Sequence, residues 1–271
     1  MPLLIWIVLF TLLGGVLSVM AAAVFLLLPE RLQNRLLPHF ISFATGALLG
    51  AAFLALLPHA VESQPGIDIH EITLTVLLGV LLFFLLEKMV LWRHCHSTTC
   101  DVHGTEEHEH AHDHRHDHGH PAAKASGIFI LIGDGLHNFI DGVLIGAAFL
   151  TDPHLGVVTA LAVAAHEIPQ ELGDFAVLLH GGFSRKKALW YNIAVSLTTI
   201  LGGLLAYVSL SGVQHYLPFV LALAASSFIY IAVADLIPGL HRKTHIAATI
   251  QQVVLIAFGV GAIYLAHSTL H

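Results

Sequence analysis

Eight times along this chain an apolar run is long enough to cross a bilayer, taking about 20 residues as one crossing. The runs fall at approximately 3–28, 38–60, 70–92, 127–150, 155–180, 187–209, 216–238 and 246–269. A chain that is 56% hydrophobic and only 11% charged over 271 residues leaves too little polar surface for a soluble domain of that size. The pattern predicts an all-α integral membrane protein with eight transmembrane helices. The region Met1–Leu28 has no basic start and is longer than a signal-peptide core, so it reads as a retained first span. A formal net charge of -7 argues against nucleic acid as a partner.

Basic residues fix the expected orientation. Arg31 and Arg35 follow the first span, Lys88, Arg93, Arg115 and Lys124 end or follow the third, Arg185, Lys186 and Lys187 follow the fifth, and Arg242 and Lys243 follow the seventh. These are all 11 Lys and Arg residues. Each belongs to an odd-numbered loop or its edge, which the positive-inside rule places in the cytoplasm, with both termini outward. The even loops carry Glu62, Asp68, Glu71 and Asp152, with His59, His70 and His154 nearby; they read either as a cation-concentrating vestibule or as ordinary turn polarity. His39, His215, His241, His245, His267 and His271 lie at span ends, where histidine is unremarkable.

Spans four and five break the apolar rule. The first contains GDGLHNFIDG and the second HEIPQELGDF, and together they hold Asp134, His137, Asn138, Asp141, His166, Glu167, Gln170, Glu171 and Asp174. Five unpaired charged acids at mid-bilayer would cost on the order of 15 kcal/mol on insertion scales. At about 100° per residue, Asp134, His137, Asn138 and Asp141 share roughly a 100° arc, and His166, Gln170 and Asp174 stack at i, i+4, i+8. Two such stripes facing each other describe a divalent metal site. A hydrogen-bonded polar zipper between helices is the competing reading. Pro169 cannot donate to the Ala165 carbonyl, which suits a hydrated path or a mechanical kink. Gly133, Gly135, Gly142, Gly146, Ala147 and Ala148 permit close approach of span four to its neighbours.

The third loop, His94 to His120, contains ten histidines interleaved with acids and has too little apolar content to pack. It reads as a disordered cytoplasmic tether that captures metal through His94, Cys95, His96, Cys100, His108, His110, His112, His114, His116, His118 and His120, or as a solubilising tail. The only cysteines, Cys95 and Cys100, lie there, so no disulfide framework is indicated. Laying Pro58 on Pro238 aligns GALLGAAFLALLP with SSFIYIAVADLIP. That match relates span two to span seven in opposite orientation, as in transporters with inverted repeats.

GDGLHNFIDG and HEIPQELGD resemble the fourth- and fifth-span signatures of the ZIP family of divalent metal transporters, in particular its branch with H-E-x-P-H-E-x-G-D. The eight spans, outward termini and long His-rich loop are similar too. The resemblance implies zinc uptake into the cytoplasm, with iron, manganese or cadmium as competing substrates, a mid-membrane centre that is frequently binuclear, and a homodimer. It assigns His137, Asp141, His166 and Gln170 to the main site, and Asn138 and Glu167 to a neighbouring second one. Asp134, Glu171, Asp174 and Asp235 are left as shell or pathway groups. Gln170 stands where the branch usually has histidine, and the sixth span lacks a carboxylate that some members contribute. The expected organisation is 3+2+3: spans one to three over 1–93, the loop 94–123, the central metal-binding pair over 124–182 and spans six to eight over 183–271, with inverted repeats flanking the pair.

Three other readings compete: a membrane metal exporter, an intramembrane zinc protease and a metal sensor or receptor that binds without flux. A membrane metal exporter shares the His-rich loop, but such exporters usually have six spans. An intramembrane zinc protease would need a second histidine at Gln170 and no proline inside the motif. The chain is therefore expected to be a carrier and not an enzyme, with a bacterial inner membrane as the expected location.

Overall fold

The computed structural model describes residues 2–63, 66–94, 120–241 and 245–270, and every regular element among them is helical. Joined across short π turns, the helices form eight rods: α1 Leu3–Phe25, α2 Glu30–Glu62, α3 Ile69–His94, α4 His120–Thr151, α5 Pro153–His180, α6 Arg185–Leu210, α7 Gln214–Leu240 and α8 Ile246–Leu270. Seven of the rods contain a stretch long and apolar enough to cross a membrane, and the chain is an integral membrane protein. The other, α5, spans 28 residues, with Glu167, Glu171 and Asp174 breaking its apolar run. Helix is the only open-chain solution for such segments, because lipid offers no partner for a backbone N–H or C=O. Buried hydroxyls follow the same logic. Thr11 donates to the Ile7 carbonyl at 2.8 Å, Thr45 to Ile41 at 2.8 Å and Thr159 to Leu155 at 2.8 Å.

Two boundaries differ from the sequence reading. Helix α2 begins at Glu30, eight residues before the expected apolar run, because its first two turns are amphipathic and extend beyond it. Helix α4 begins at His120, inside the stretch expected as loop, where Pro121 at the second helical position is followed by helix-forming alanines and Lys124.

Prolines and glycines shape the rods. A π turn at Ala52–Leu56 precedes Pro58, and another at Ile231–Leu236 precedes Pro238. Each proline lacks the N–H that would bond four residues back, so the preceding turn widens. The two positions aligned by sequence thus carry the same backbone irregularity. Close seams then tie the rods together. A Cβ on Gly142 would run into the carbonyl of Thr199, and one on Gly202 into the carbonyl of Phe139, so α4 and α6 meet backbone to backbone. Gly46 and Gly259 do the same between α2 and α8, against Ile256 and Phe43, while Gly79 of α3 sits on Ser226 of α7. Helix α5 packs against α4, α2 and α1, which puts its polar stripe inside the bundle.

Candidate metal centre

The start of α5 is set by Asp152, whose carboxylate accepts from the backbone N–H of His154 at 2.8 Å and of Leu155 at 3.0 Å, with Pro153 in the first helical position. Thirteen residues beyond the helix start, His166 and Glu167 meet His137 and Asp141 of α4. One ligand atom from each of these four residues lies within 4.8 Å of the others.

The separations are those of a metal site. His137 Nε2 is 3.3 Å from His166 Nε2, 3.6 Å from Asp141 Oδ2 and 3.6 Å from Glu167 Oε1. His166 Nε2 is 3.2 Å from Asp141 Oδ2 and 3.8 Å from Glu167 Oε1. Ligands about 2.0–2.2 Å from a tetrahedral zinc stand roughly 3.3–3.6 Å from one another. Both oxygens of Asp141 and both of Glu167 are buried without a hydrogen-bond partner. Two unpartnered carboxylates are unfavourable in a closed bundle unless a cation completes them. His166 Nδ1 lies 3.2 Å from the Ala162 carbonyl; as the donor there, it turns Nε2 toward the cluster as a ligand. The residues present therefore fit zinc, iron or manganese better than cuprous copper, since none is a thiolate.

The other residues of the stripes sit around this cluster. Asn138 Nδ2 donates to Asp134 Oδ1 at 2.9 Å, and Asn138 Oδ1 accepts from Thr199 Oγ1 at 2.8 Å. Gln170 Nε2 lies 3.5 Å from Asp134 Oδ1, and Gln170 lines the cavity that reaches His137 and His166. Glu171 is fully buried with both carboxylate oxygens unpartnered, and Asp174 Oδ2 is also unpartnered. Asp134, Glu171 and Asp174 lie near enough to interact through their charges. Cys95, His96, Cys100, His108, His110, His112, His114, His116 and His118 lie outside the described residues, while His94 and His120 end α3 and begin α4.

Two cavities reach the centre. A cavity of about 290 Å³ runs from His137 and His166 past Pro169 and Gln170 to Asp235 and Gly239. A second, of about 190 Å³, joins His137 to Asp235 by way of Glu87 and Tyr230, with the Tyr230 hydroxyl donating to Glu87. Phe228, whose ring lies 6.1 Å from that of His166, packs with Leu48, Leu56, Leu144, Phe149 and Leu221 in the apolar core. Glu87 and Thr199 belong to the surroundings of the site yet escaped the sequence reading. An acid inside the third apolar run was a visible signal for Glu87; a threonine in a membrane helix gives none.

An all-helical membrane bundle that brings together a half-buried histidine, a buried one and two buried carboxylates at tetrahedral spacing fits a membrane protein that handles a divalent metal. Comparison with known proteins narrows the class. The model of the ZIP Zinc transporter family matches residues 2–267, and this chain belongs to that family, whose members are transporters and not enzymes. It is 32% identical to Zinc transporter ZIP13 of Pongo abelii over 240 residues, which cover 83% of this chain and 65% of that protein. It is 30% identical to Zinc transporter ZIP13 of Danio rerio over 262 residues, covering 84% of this chain and 75% of the relative. A shorter stretch of 122 residues, 44% of this chain and 18% of the relative, is 43% identical to Zinc transporter ZIP4 of Homo sapiens. The chain thus spans about two thirds of the ZIP13 relatives and a small part of ZIP4. These relatives are animal proteins.

Proposed function

We propose that this protein carries zinc, or a competing divalent ion such as iron, manganese or cadmium, into the cytoplasm by alternating access through the centre formed by His137, Asp141, His166 and Glu167. The observation that carries the reading is the set of ligand separations between 3.2 and 3.8 Å around carboxylates that have no other partner. Gln170, on the cavity wall beside both histidines, is placed to add an amide oxygen to a metal on its way through.

In this reading α5 is the eighth crossing, and α4 and α5 form the central pair of a 3+2+3 bundle. The paired π turns before Pro58 and Pro238 support an inverted repeat relating α2 to α7. With the basic loops in the cytoplasm, the open cavity at Asp235 and Gly239 faces inward and the apolar core around Phe149 and Leu221 lies toward the outside, so the conformation is inward-facing. All four ligands ride on α4 and α5, and the glycine seams bind α4 to α6 and α2 to α8 as separate pairs. A slide of the ligand-bearing body against the other would move the metal from one side to the other, after which it passes toward the His-rich loop. Binding offsets dehydration yet stays weak enough to release. Helices α3 and α8, whose apolar windows are each only 11% buried, leave faces for lipid or for the second copy of a homodimer.

Purified protein in liposomes tests this directly. Zinc influx read by a trapped fluorescent chelator is expected in the wild type and lost in His137→Ala and His166→Ala. Undiminished influx in both variants would refute the centre, and binding without flux would make the protein a sensor.

A further inference from the structure

The rings of His137 and His166, which share the metal centre, stand 5.5 Å apart between centroids and are inclined at 79°. A second pair, outside that centre, repeats the arrangement. His59 near the end of α2 and His267 near the end of α8 have ring centroids 5.3 Å apart, inclined at 72°. The bonding of the ring is repeated too. His59 Nδ1 lies 2.9 Å from the Ala55 carbonyl four residues back, as His166 Nδ1 lies 3.2 Å from that of Ala162. A carbonyl only accepts, so Nδ1 carries the proton in both rings, and Nε2 is the nitrogen whose lone pair a metal takes.

The surroundings suit a cation. His59 lines a cavity of about 350 Å³ together with Ser63, Thr151, Asp152 and Gln214. Asp152 brings a carboxylate to its wall, Glu62 follows His59 by one turn of α2, and no Lys or Arg is among its described lining residues. A cleft of that composition concentrates positive ions. It also borders the apolar core: Leu56 precedes His59 by one turn, Phe149 precedes the lining Leu150, and Leu221 follows the lining Leu217 by one turn. The two rings keep their spacing because α2 and α8 are held by their own close seam, with Gly46 on Ile256, Gly259 on Phe43 and Gly50 on Val260 and Ile263.

We propose that His59 and His267 form a capture site that takes a divalent ion of the zinc class on the extracytoplasmic side, before it reaches the centre between α4 and α5. Two imidazoles, with water completing the coordination, select zinc over manganese, and two protein ligands hold it less tightly than four. Both rings ride on α2 and α8, so the site stays in place while α4 and α5 carry the ion across. The inference rests on the direction of uptake proposed above; the binding of metal by the pair does not.

Anomalous diffraction at the zinc edge, from zinc-soaked crystals of the full-length protein, tests the binding. A peak between His59 and His267 is expected in the wild type and absent in His59→Gln, with the peak among His137, Asp141, His166 and Glu167 present in both. A central peak alone overturns the inference and leaves the centre intact. A peak between the outer pair alone sustains the capture site and overturns the centre. Influx into liposomes then tests the role. His59→Gln and His267→Gln are each expected to raise KM for zinc about tenfold, the lower end of what loss of even an orienting group does to metal affinity. Their maximal rate for zinc and their KM for manganese should stay within twofold of wild type. Equal rises in KM for both metals would mean that the rings act only in packing, and an unchanged KM for zinc would mean that an ion between them is adventitious; either result overturns the capture role.

Discussion

His137 and His166 point their Nε2 atoms at each other across the α4–α5 seam, 3.3 Å apart, with Asp141 Oδ2 within 3.6 Å of one and 3.2 Å of the other. Neither ring is a spectator to the other, so the two act as one ligand pair. Replacing either with alanine removes a quarter of a four-ligand set. Loss of a group that merely orients a ligand already lowers metal affinity about 10–100-fold. Each single variant is therefore expected to lose at least that much, measured by equilibrium competition with a zinc chelator in detergent. Affinity within twofold of wild type in either variant would remove that histidine from the site.

Acidity should act through the same atoms. Imidazole and carboxylate coordinate metal only when deprotonated, and binding releases the protons they hold. The sign is fixed: as pH falls, protons compete and loading weakens; as pH rises, loading strengthens. Calorimetry of zinc binding in buffers of different ionisation enthalpy is expected to show proton release that grows as the pH is lowered from 7.5 to 6. Binding with no proton release across that range would mean that the ligands are other groups.

Gln170 faces the cavity beside both histidines, where the related branch places a third imidazole. Gln170→His is expected to raise affinity for zinc more than for manganese, since imidazole suits the former and oxygen donors the latter. Competition between the two ions for uptake into liposomes reads the ratio, which should move by tenfold or more toward zinc. An unchanged ratio would place residue 170 off the coordination path.

Much of this arrangement was legible before any coordinates, and for a definite reason. Polar residues such as Asp141 and Glu167 stand out in an apolar run, and helical periodicity places them on shared faces without knowledge of the fold. Periodicity does not say which members of a stripe converge. Asn138 and Asp141 lie on the same arc of α4, yet Asp141 meets His166 while Asn138 turns to Thr199. That choice depends on where α6 packs, which the glycines permit and do not dictate. The π turns before Pro58 and Pro238 were equally out of reach, since proline announces a broken hydrogen bond without specifying how the helix absorbs it.

The α4–α6 seam should be brittle. Gly142 and Gly202 each face a carbonyl of the other helix at a distance where no Cβ fits. Gly142→Leu must push the helices apart, and with them the contact from Thr199 to Asn138. Overpacking of a tight core costs about 1–3 kcal/mol, so thermal unfolding in detergent is expected several degrees lower for this variant. Gly173→Leu is the control, because its Cβ would meet nothing within 4 Å. Equal melting temperatures for the two variants would mean that the seam yields, and that α4 and α6 do not move as one body.

Asp235 offers a test of the route out of the centre. It lines both cavities that lead from His137, and it belongs to the π turn of α7 opposite the ligand-bearing helices. Its carboxylate is absent from the four-ligand cluster, so Asp235→Asn leaves the binding atoms in place. What it removes is a negative charge that draws a cation from the centre into the vestibule. Equilibrium affinity for zinc is expected to stay within twofold of wild type while the maximal uptake rate falls several-fold, a split that separates transit from binding. Should affinity and rate fall together, Asp235 would belong to the binding centre; should neither change, the metal leaves by another wall of the cavity.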